Sequence, residues 1–139
     1  MDDIHIERLD DSTDARGLSF SILEPLLSKI GHARDVHIGE ILPGCIRGNH
    51  FHARRGELIA VVFSDTWSLH WDTGPDTAVH VRRFDGSGAI AVIPPRNWSH
   101  AVKNEGVKPM WIFAVSDQRY DRHESDSTRR DVVRREVAS

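Results

Sequence analysis

Cysteine is almost missing from this chain: Cys45 is the only one in 139 residues. An intrachain disulfide is thereby excluded, and the usage agrees with a reducing cytosol. Cys45 itself reads as a small buried hydrophobe rather than a reactive thiol. Long apolar runs are missing too. None approaches the roughly 20 residues that a membrane helix requires. The N-terminal "MDDIHIERLDD" is polar and acidic, the wrong make-up for a signal peptide. Nor is there an excess of basic charge. Lys and Arg number 18 against 21 Asp and Glu, for a net charge of −3, so nothing electrostatic favours a nucleic acid partner. No internal repeat or low-complexity linker breaks the chain. The expectation is one domain over residues 1–139, large enough for its own core, in the cytoplasm.

What is present is histidine, nine of them, and a rhythm of short strands. "VHIGEIL" alternates and stops at Pro43-Gly44. "ELIAVVF" is a continuous apolar run, which suits a strand covered on both faces. "TWSLHWD", "AVHVRRF", "AIAVI" and "MWIFAV" follow, separated by "TGPDT", "DGSG" and a turn opened by Pro94-Pro95. Strands about 8–12 residues apart with turn signals between them indicate an all-β sandwich or barrel. Its core runs over about residues 36–116. The flanks differ. "SFSILEPLLSKIG" reads as a strand entering a short helical turn. "DSTRRDVVRREVAS" reads as a short C-terminal helix, with Val132, Val133 and Val137 on one face.

The stretch "RGNHFHARRGE", residues 47–57, concentrates the chemistry. Side chains alternate along a strand, so His50 and His52 share a face and Phe51 takes the other. Glu57 follows within reach. Taken alone, the run is a metal site, a proton-transfer site or a coincidence. A second segment, "GAIAVIPPRNWSHAVKN", enters a strand from a proline-fixed turn and carries His100. If the strands close into a barrel, the two segments meet in its lumen. His50, His52, Glu57 and His100 then form a set of three imidazoles and one carboxylate for one divalent ion per chain: Zn²⁺, Fe²⁺, Ni²⁺ or Mn²⁺. Four protein ligands on an ion that accepts five or six leave room for water or substrate, whereas four-coordinate Zn²⁺ would be closed and structural.

"GCIRGNHFHARRGE" followed by "GAIAVIPPRNWSHAVKN" resembles the two motifs of the cupin superfamily, which are small jelly-roll barrels. Asn97 stands where the second motif has a glycine, and asparagine tolerates the left-handed turn conformation. "DARGLSF", "PGCIRGNHFH", "IPPRNWSHAVKNEG" and "VSDQRYDRHESDSTRRDVV" resemble, in that order, cupins that remodel nucleotide-linked sugars. These are the dTDP-4-keto-sugar 3,5-epimerases, the 3,4-ketoisomerases, and the metal-binding cupin domain of capsular-sugar epimerase/reductases. The resemblance implies His50 as a base, Arg47 as a phosphate contact and Tyr120 as a proton donor. From the ketoisomerases it implies His50 and His52 as a proton-transfer pair. Those enzymes typically carry Gln at the Glu57 position, so the glutamate here leans toward the metal-binding group. One residue, Ser99, is extra between Trp98 and His100.

The chemistry coheres without the family. Protons beside the carbonyl of a 4-keto sugar are acidic, and histidine is a base of suitable pKa. The enolate oxygen needs a cation or hydrogen-bond donors. Arg47, Arg54 and Arg55 cluster nearby for a diphosphate. Trp98 is a candidate for stacking on a base or sugar, and His70 for lining the pocket. The expected protein is a metal-binding epimerase or isomerase of a nucleotide-linked keto sugar or similar small metabolite. The alternatives are an iron-dependent dioxygenase or biosynthetic cyclase on the same ligands, and a non-catalytic small-molecule or sugar-binding module. A small barrel with open edges is expected to pair as a homodimer.

Overall fold

A computed structural model describes residues 3–121, 123 and 125–134. Its strands in chain order are β1 (His5–Arg8), β2 (Asp10–Asp11), β3 (Phe20–Ser21), β4 (Asp35–Ile41), β5 (Ile46–His52), β6 (Glu57–Phe63), β7 (Trp67–Trp71), β8 (His80–Phe84), β9 (Gly88–Ile93), β10 (His100–Asn104), β11 (Met110–Ser116) and β12 (Ser127–Arg129). A single α-helical turn, α1 (Glu24–Leu27), runs into a 3₁₀ turn at Ser28–Ile30. This is the strand-to-helical-turn element expected from "SFSILEPLLSKIG".

Two five-stranded antiparallel sheets face each other. One has the order β1-β9-β6-β11-β4 and the other β12-β5-β10-β7-β8; β2 and β3 form a separate hairpin. The eight strands β4 to β11 are shared between the two sheets, which is the jelly-roll arrangement. Between the sheets lies an apolar core that includes Ile59, Val61, Trp67, Leu69, Ile90, Val92, Val102 and Ile112. A second cluster covers the outer face of the first sheet, where Leu26 and Ile30 of the helical turns pack on Leu58, Ala60, Ala91 and Val115. β6 is thus covered on both faces, which is why its sequence is apolar without alternation.

Turns fix where the strands begin. Cys45 N–H donates to the Leu42 carbonyl at 3.0 Å, closing a turn with Pro43 second and Gly44 third, the latter at φ +79°. A proline then a left-handed glycine is the type II pattern. After β9, Trp98 N–H closes on the Pro95 carbonyl, and Asn97 takes φ +71°, the conformation for which the resemblance expects glycine.

Two expectations are corrected. Over its described part, the proposed C-terminal helix is instead an edge strand, β12, followed by bends; Val137 lies outside the described residues. The helical spacing of Val132 and Val133 was misleading because a β-edge supplied the backbone partners. Cys45 is exposed, since it sits in the tight turn after Gly44 rather than under the core. The polar N-terminus carries an edge strand, β1, held by pairing with β9.

Candidate metal centre

β5 carries one residue too many for its partner. His50 stands opposite His100, but Gly48 stands opposite Ala101, so Asn49 is looped out as a bulge. Gly48 adopts φ +114° and Asn49 φ +61°. A Cβ on Gly48 would lie 2.5 Å from the His100 carbonyl oxygen, so only glycine fits there. The bulge resets the alternation. In a regular strand Arg47 and His50 would face opposite ways. Here Arg47 pairs with Val102 and His50 with His100, both on the inward face.

His50, His52, Glu57 and His100 are brought together at one end of the barrel. Each offers a ligand atom, and these atoms all lie within 4.8 Å of one another. Glu57 opens β6 facing inward, and His100 opens β10 straight after the Asn97 turn. His52, Glu57 and His100 are buried, whereas His50 is half-buried and closes the group on the cavity side. Ser99, the extra residue, is buried. Its N–H donates to the Asp72 carboxylate at 3.0 Å, and this leaves His100 facing inward.

The imidazoles are oriented from behind. His52 Nδ1 lies 3.2 Å from the Asp126 backbone carbonyl, and His100 Nδ1 lies 3.3 Å from that of Trp98. A carbonyl can only accept, so each Nδ1 carries the proton. Each Nε2 is then a bare lone pair in the neutral ring, and these two nitrogens stand 3.5 and 3.4 Å from the same Glu57 oxygen, Oε1. Both are buried without a hydrogen-bond partner among the described residues. Lone pairs facing a carboxylate repel unless positive charge lies among them. A proton supplies it in part. Burial disfavours charged His52, but the contact and charge of Glu57 and the Asp126 carbonyl outweigh this and raise its pKa. Burial likewise disfavours ionised Glu57, yet His100 and His52 hold its carboxyl well below the usual range. His50 goes the other way. Burial, then the charges of His100 and His52, push it down to about 4, so it is neutral at pH 7. Backbone-oriented imidazoles with converging bare nitrogens and an ionised carboxylate are the donor set of a divalent metal site, and the residues fit such an ion.

The group opens into a cavity of about 910 Å³, a volume suited to a small-molecule ligand. Arg47 and Tyr120 line it. Arg47 Nε is tied to the Glu40 carbonyl at 2.7 Å, which bridges β5 to β4, and Tyr120 is an exposed rim residue. Trp98 and His70 do not line it. Trp98 packs against the core, and His70 sits on the outer face of β7 with Nε2 2.8 Å from the Ser68 hydroxyl. The alternation already separates His70 from inward-facing Leu69 and Trp71. One wall residue, His37, was missed as a site candidate. His37 shares the inward face with Gly39 and Ile41, a signal present in "VHIGEIL". Arg55 lines the cavity with its Nε buried and without a hydrogen-bond partner among the described residues.

Solved structures share this architecture. The capsular polysaccharide assembling protein CapF from Staphylococcus aureus matches at TM-score 0.65 and 21% identity over 91% of this chain. The chain spans only about a third of CapF, 33%. A dTDP sugar isomerase from Desulfovibrio desulfuricans matches at TM-score 0.72 and 14% identity, covering 93% of this chain and 84% of that one. A mutant of the 3,4-ketoisomerase QdtA from Thermoanaerobacterium thermosaccharolyticum, in complex with TDP-4-keto-6-deoxyglucose, matches at TM-score 0.63 and 14% identity, covering 91% of this chain and 86% of that one. No curated protein matches the chain. These likenesses show a shared fold, and residues 12–128 match a known family over most of the chain: the protein belongs to the polysaccharide biosynthesis C-terminal domain family.

Proposed function

We propose that this protein is a metal-dependent cupin enzyme that epimerises or isomerises a nucleotide-linked keto sugar. The observation that carries the reading is the convergence of two unpartnered buried imidazole nitrogens on one ionised carboxylate, at the floor of a cavity that also holds an unpartnered arginine Nε. His50, His52, Glu57 and His100 would hold the ion. When bound, a divalent ion supplies Lewis-acid polarisation of a carbonyl oxygen beside it. The chain's own residues do the rest. Arg55, with its buried Nε facing no partner, binds an anionic group of the substrate, and Arg47 adds charge at the mouth. With the four ligand side chains engaged, Asp35, His37 and Tyr120 are the titratable wall residues left to take a proton from the carbon beside the keto group and return it. The apolar side of the wall, Ile59, Ile112 and Ala114, keeps water from the reacting carbons. QdtA, of the same fold, is seen in complex with TDP-4-keto-6-deoxyglucose, which supports this substrate class. The domain is proposed to act as one unit and to work as a homodimer.

Two measurements test the proposal. Elemental analysis of untagged protein is expected to give about one divalent ion per chain, lost in His52→Ala. Incubation of the loaded protein with dTDP-4-keto sugars in D₂O is expected to place deuterium on carbons next to the carbonyl. A fully loaded protein that exchanges none of them would remove the isomerase reading. Substrate loss coupled to oxygen consumption would put a dioxygenase in its place.

A further inference from the structure

The two buried imidazoles are oriented by different means. His100 takes its carbonyl from Trp98, two residues before it in the same turn. His52 takes its carbonyl from Asp126, 74 residues away. We infer that the segment 126–133 is a strap whose function is to fix the tautomer of His52, with Asn49 and Asp126 as its positioning residues.

The strap is fastened by polar anchors at both ends. At its start, the Asp126 carboxylate accepts the backbone N–H groups of Ala53, Arg54 and Arg55 at 3.3, 2.8 and 2.7 Å. These are the residues directly after His52, so the acid side chain and the carbonyl that meets the ring come from one residue. Along its middle, β12 pairs with β5, Ser127 opposite His52 and Arg129 opposite His50. At its end, the buried Asn49 side chain accepts from Val132 and Val133 N–H at 2.9 and 3.1 Å and donates to the Val133 carbonyl at 3.0 Å. Arg130 adds a second clasp. Its guanidinium holds Asp72 at 2.8 and 2.7 Å and the Asn97 carbonyl at 2.7 Å, with Phe51 beneath it at 4.4 Å. The extra residue Ser99 donates its hydroxyl to the Arg130 carbonyl.

A strand that merely covered a sheet edge would need the ladder alone. Here the bulged residue Asn49 and the extra residue Ser99 both direct their polar groups to the strap. The strap in turn delivers the Asp126 carbonyl to His52 Nδ1 at 3.2 Å, with the Ser127 hydroxyl of the same strap 3.5 Å from that nitrogen. Releasing it therefore acts on His52 and leaves His100 as it was.

The inference rests on the proposed metal reading for its ligand, and its test separates the two. Asn49→Gly removes the amide while keeping the positive φ, and Asp126→Ala removes the carboxylate anchor; both are made in the full chain. The imidazole nitrogen signals of metal-free protein are read by NMR at a pH above which they no longer change, so that the rings are neutral. Wild type is expected to show the proton on Nδ1 of both His52 and His100. In each variant His52 is expected to become a mixture of tautomers while His100 keeps its own. Zn²⁺ titration is expected to show affinity lower by about 10–100-fold, the range for loss of a partner that orients a metal-binding imidazole. Unchanged His52 signals and unchanged Zn²⁺ affinity in both variants overturn the assignment, and so do His52 and His100 changing together. If Asn49→Gly fails to fold, Asp126→Ala decides. A wild type that takes up no Zn²⁺ removes the metal reading, and the tautomer comparison still judges the strap.

Discussion

Gly48→Ala isolates the geometry on which the site depends. Two penalties are present at Gly48. Its φ of +114° is a region that L side chains rarely adopt, and residues forced to positive φ are disfavoured by about 1–2 kcal/mol. The added Cβ would also lie 2.5 Å from the His100 carbonyl oxygen and 2.8 Å from Ala101 Cα. Both are backbone atoms, so relief requires β5 to move off β10, and backbone shifts of this kind cost about 1–3 kcal/mol. The sum is about 2–5 kcal/mol. An unfolding entropy of about 2.1 cal/mol/K per residue over 139 residues gives about 0.29 kcal/mol/K, and so a Tm lower by about 7–17 °C. Gly44→Ala is the control. It sits at φ +79° with nothing within 4 Å of the added carbon, so only the first penalty applies and Tm falls by about 3–7 °C. The assay is thermal unfolding by circular dichroism, with metal uptake measured on the same samples. Gly48→Ala is expected to lose metal as well as stability, because the shift separates His50 from His100, while Gly44→Ala keeps its metal. A Gly48→Ala drop no larger than that of Gly44→Ala, with metal retained, would refute the account of the bulge.

A chelator is expected to lower Tm reversibly. An ion present at 100 times its Kd stabilises by about 2.7 kcal/mol, which is about 9 °C on the same entropy scale; identical scans with and without chelator would count against a bound ion. Arg55→Ala is expected to weaken binding of dTDP by about 10–100-fold, since charge-assisted hydrogen bonds are worth about 1.5–3 kcal/mol, and calorimetry would read it; an unchanged Kd would remove Arg55 from the anion site. Asp72 supplies a pH test. Burial disfavours its ionised form, but Arg130 and the Ser99 N–H outweigh this and set its pKa below the ordinary 3.8. A depressed carboxyl contributes stability that is complete above 3.8 and lost as pH falls through the folded value. Wild type should therefore lose more Tm than Asp72→Asn between about pH 4 and pH 2, and parallel profiles would mean that the Arg130 clasp contributes nothing.

Where a local pattern decides the structure, the chain can be read directly. The two-sided apolar run of β6, the alternation of β7 and the proline–glycine turn before β5 all reappear in the folded protein. The metal candidates were legible for the same reason: His52, Glu57 and His100 lie at strand ends beside turn signals, and His50 shares a face with His52. The remainder depended on pairing between distant segments. Alternation alone would put Arg47 on the face opposite His50, and only the register against β10 reveals the bulge that reverses it. The "STR" of Ser127–Arg129 has no strand-like composition, and it extends only because the β5 edge offers it partners. Arg55 was grouped with Arg47 and Arg54 for a diphosphate, and what singles it out is an Nε without a partner among the described residues, which no one-dimensional pattern records.

The departures from regularity are linked. Asn49 is surplus to the β5 ladder, and Ser99 is surplus between Trp98 and His100. Each insertion leaves a buried polar residue that would be costly if unpaired. Both find their partners in one place, the strap: Asn49 at Val132 and Val133, and Ser99 at Arg130. The strap then returns a carbonyl to His52, two residues after Gly48-Asn49-His50 turns the strand inward. Removing either insertion alone would strand the polar groups of the strap, while removing the strap would strand both insertions. The inward turn of β5 and the tautomer of His52 are thus specified together, while His100 takes its carbonyl from Trp98 in its own turn.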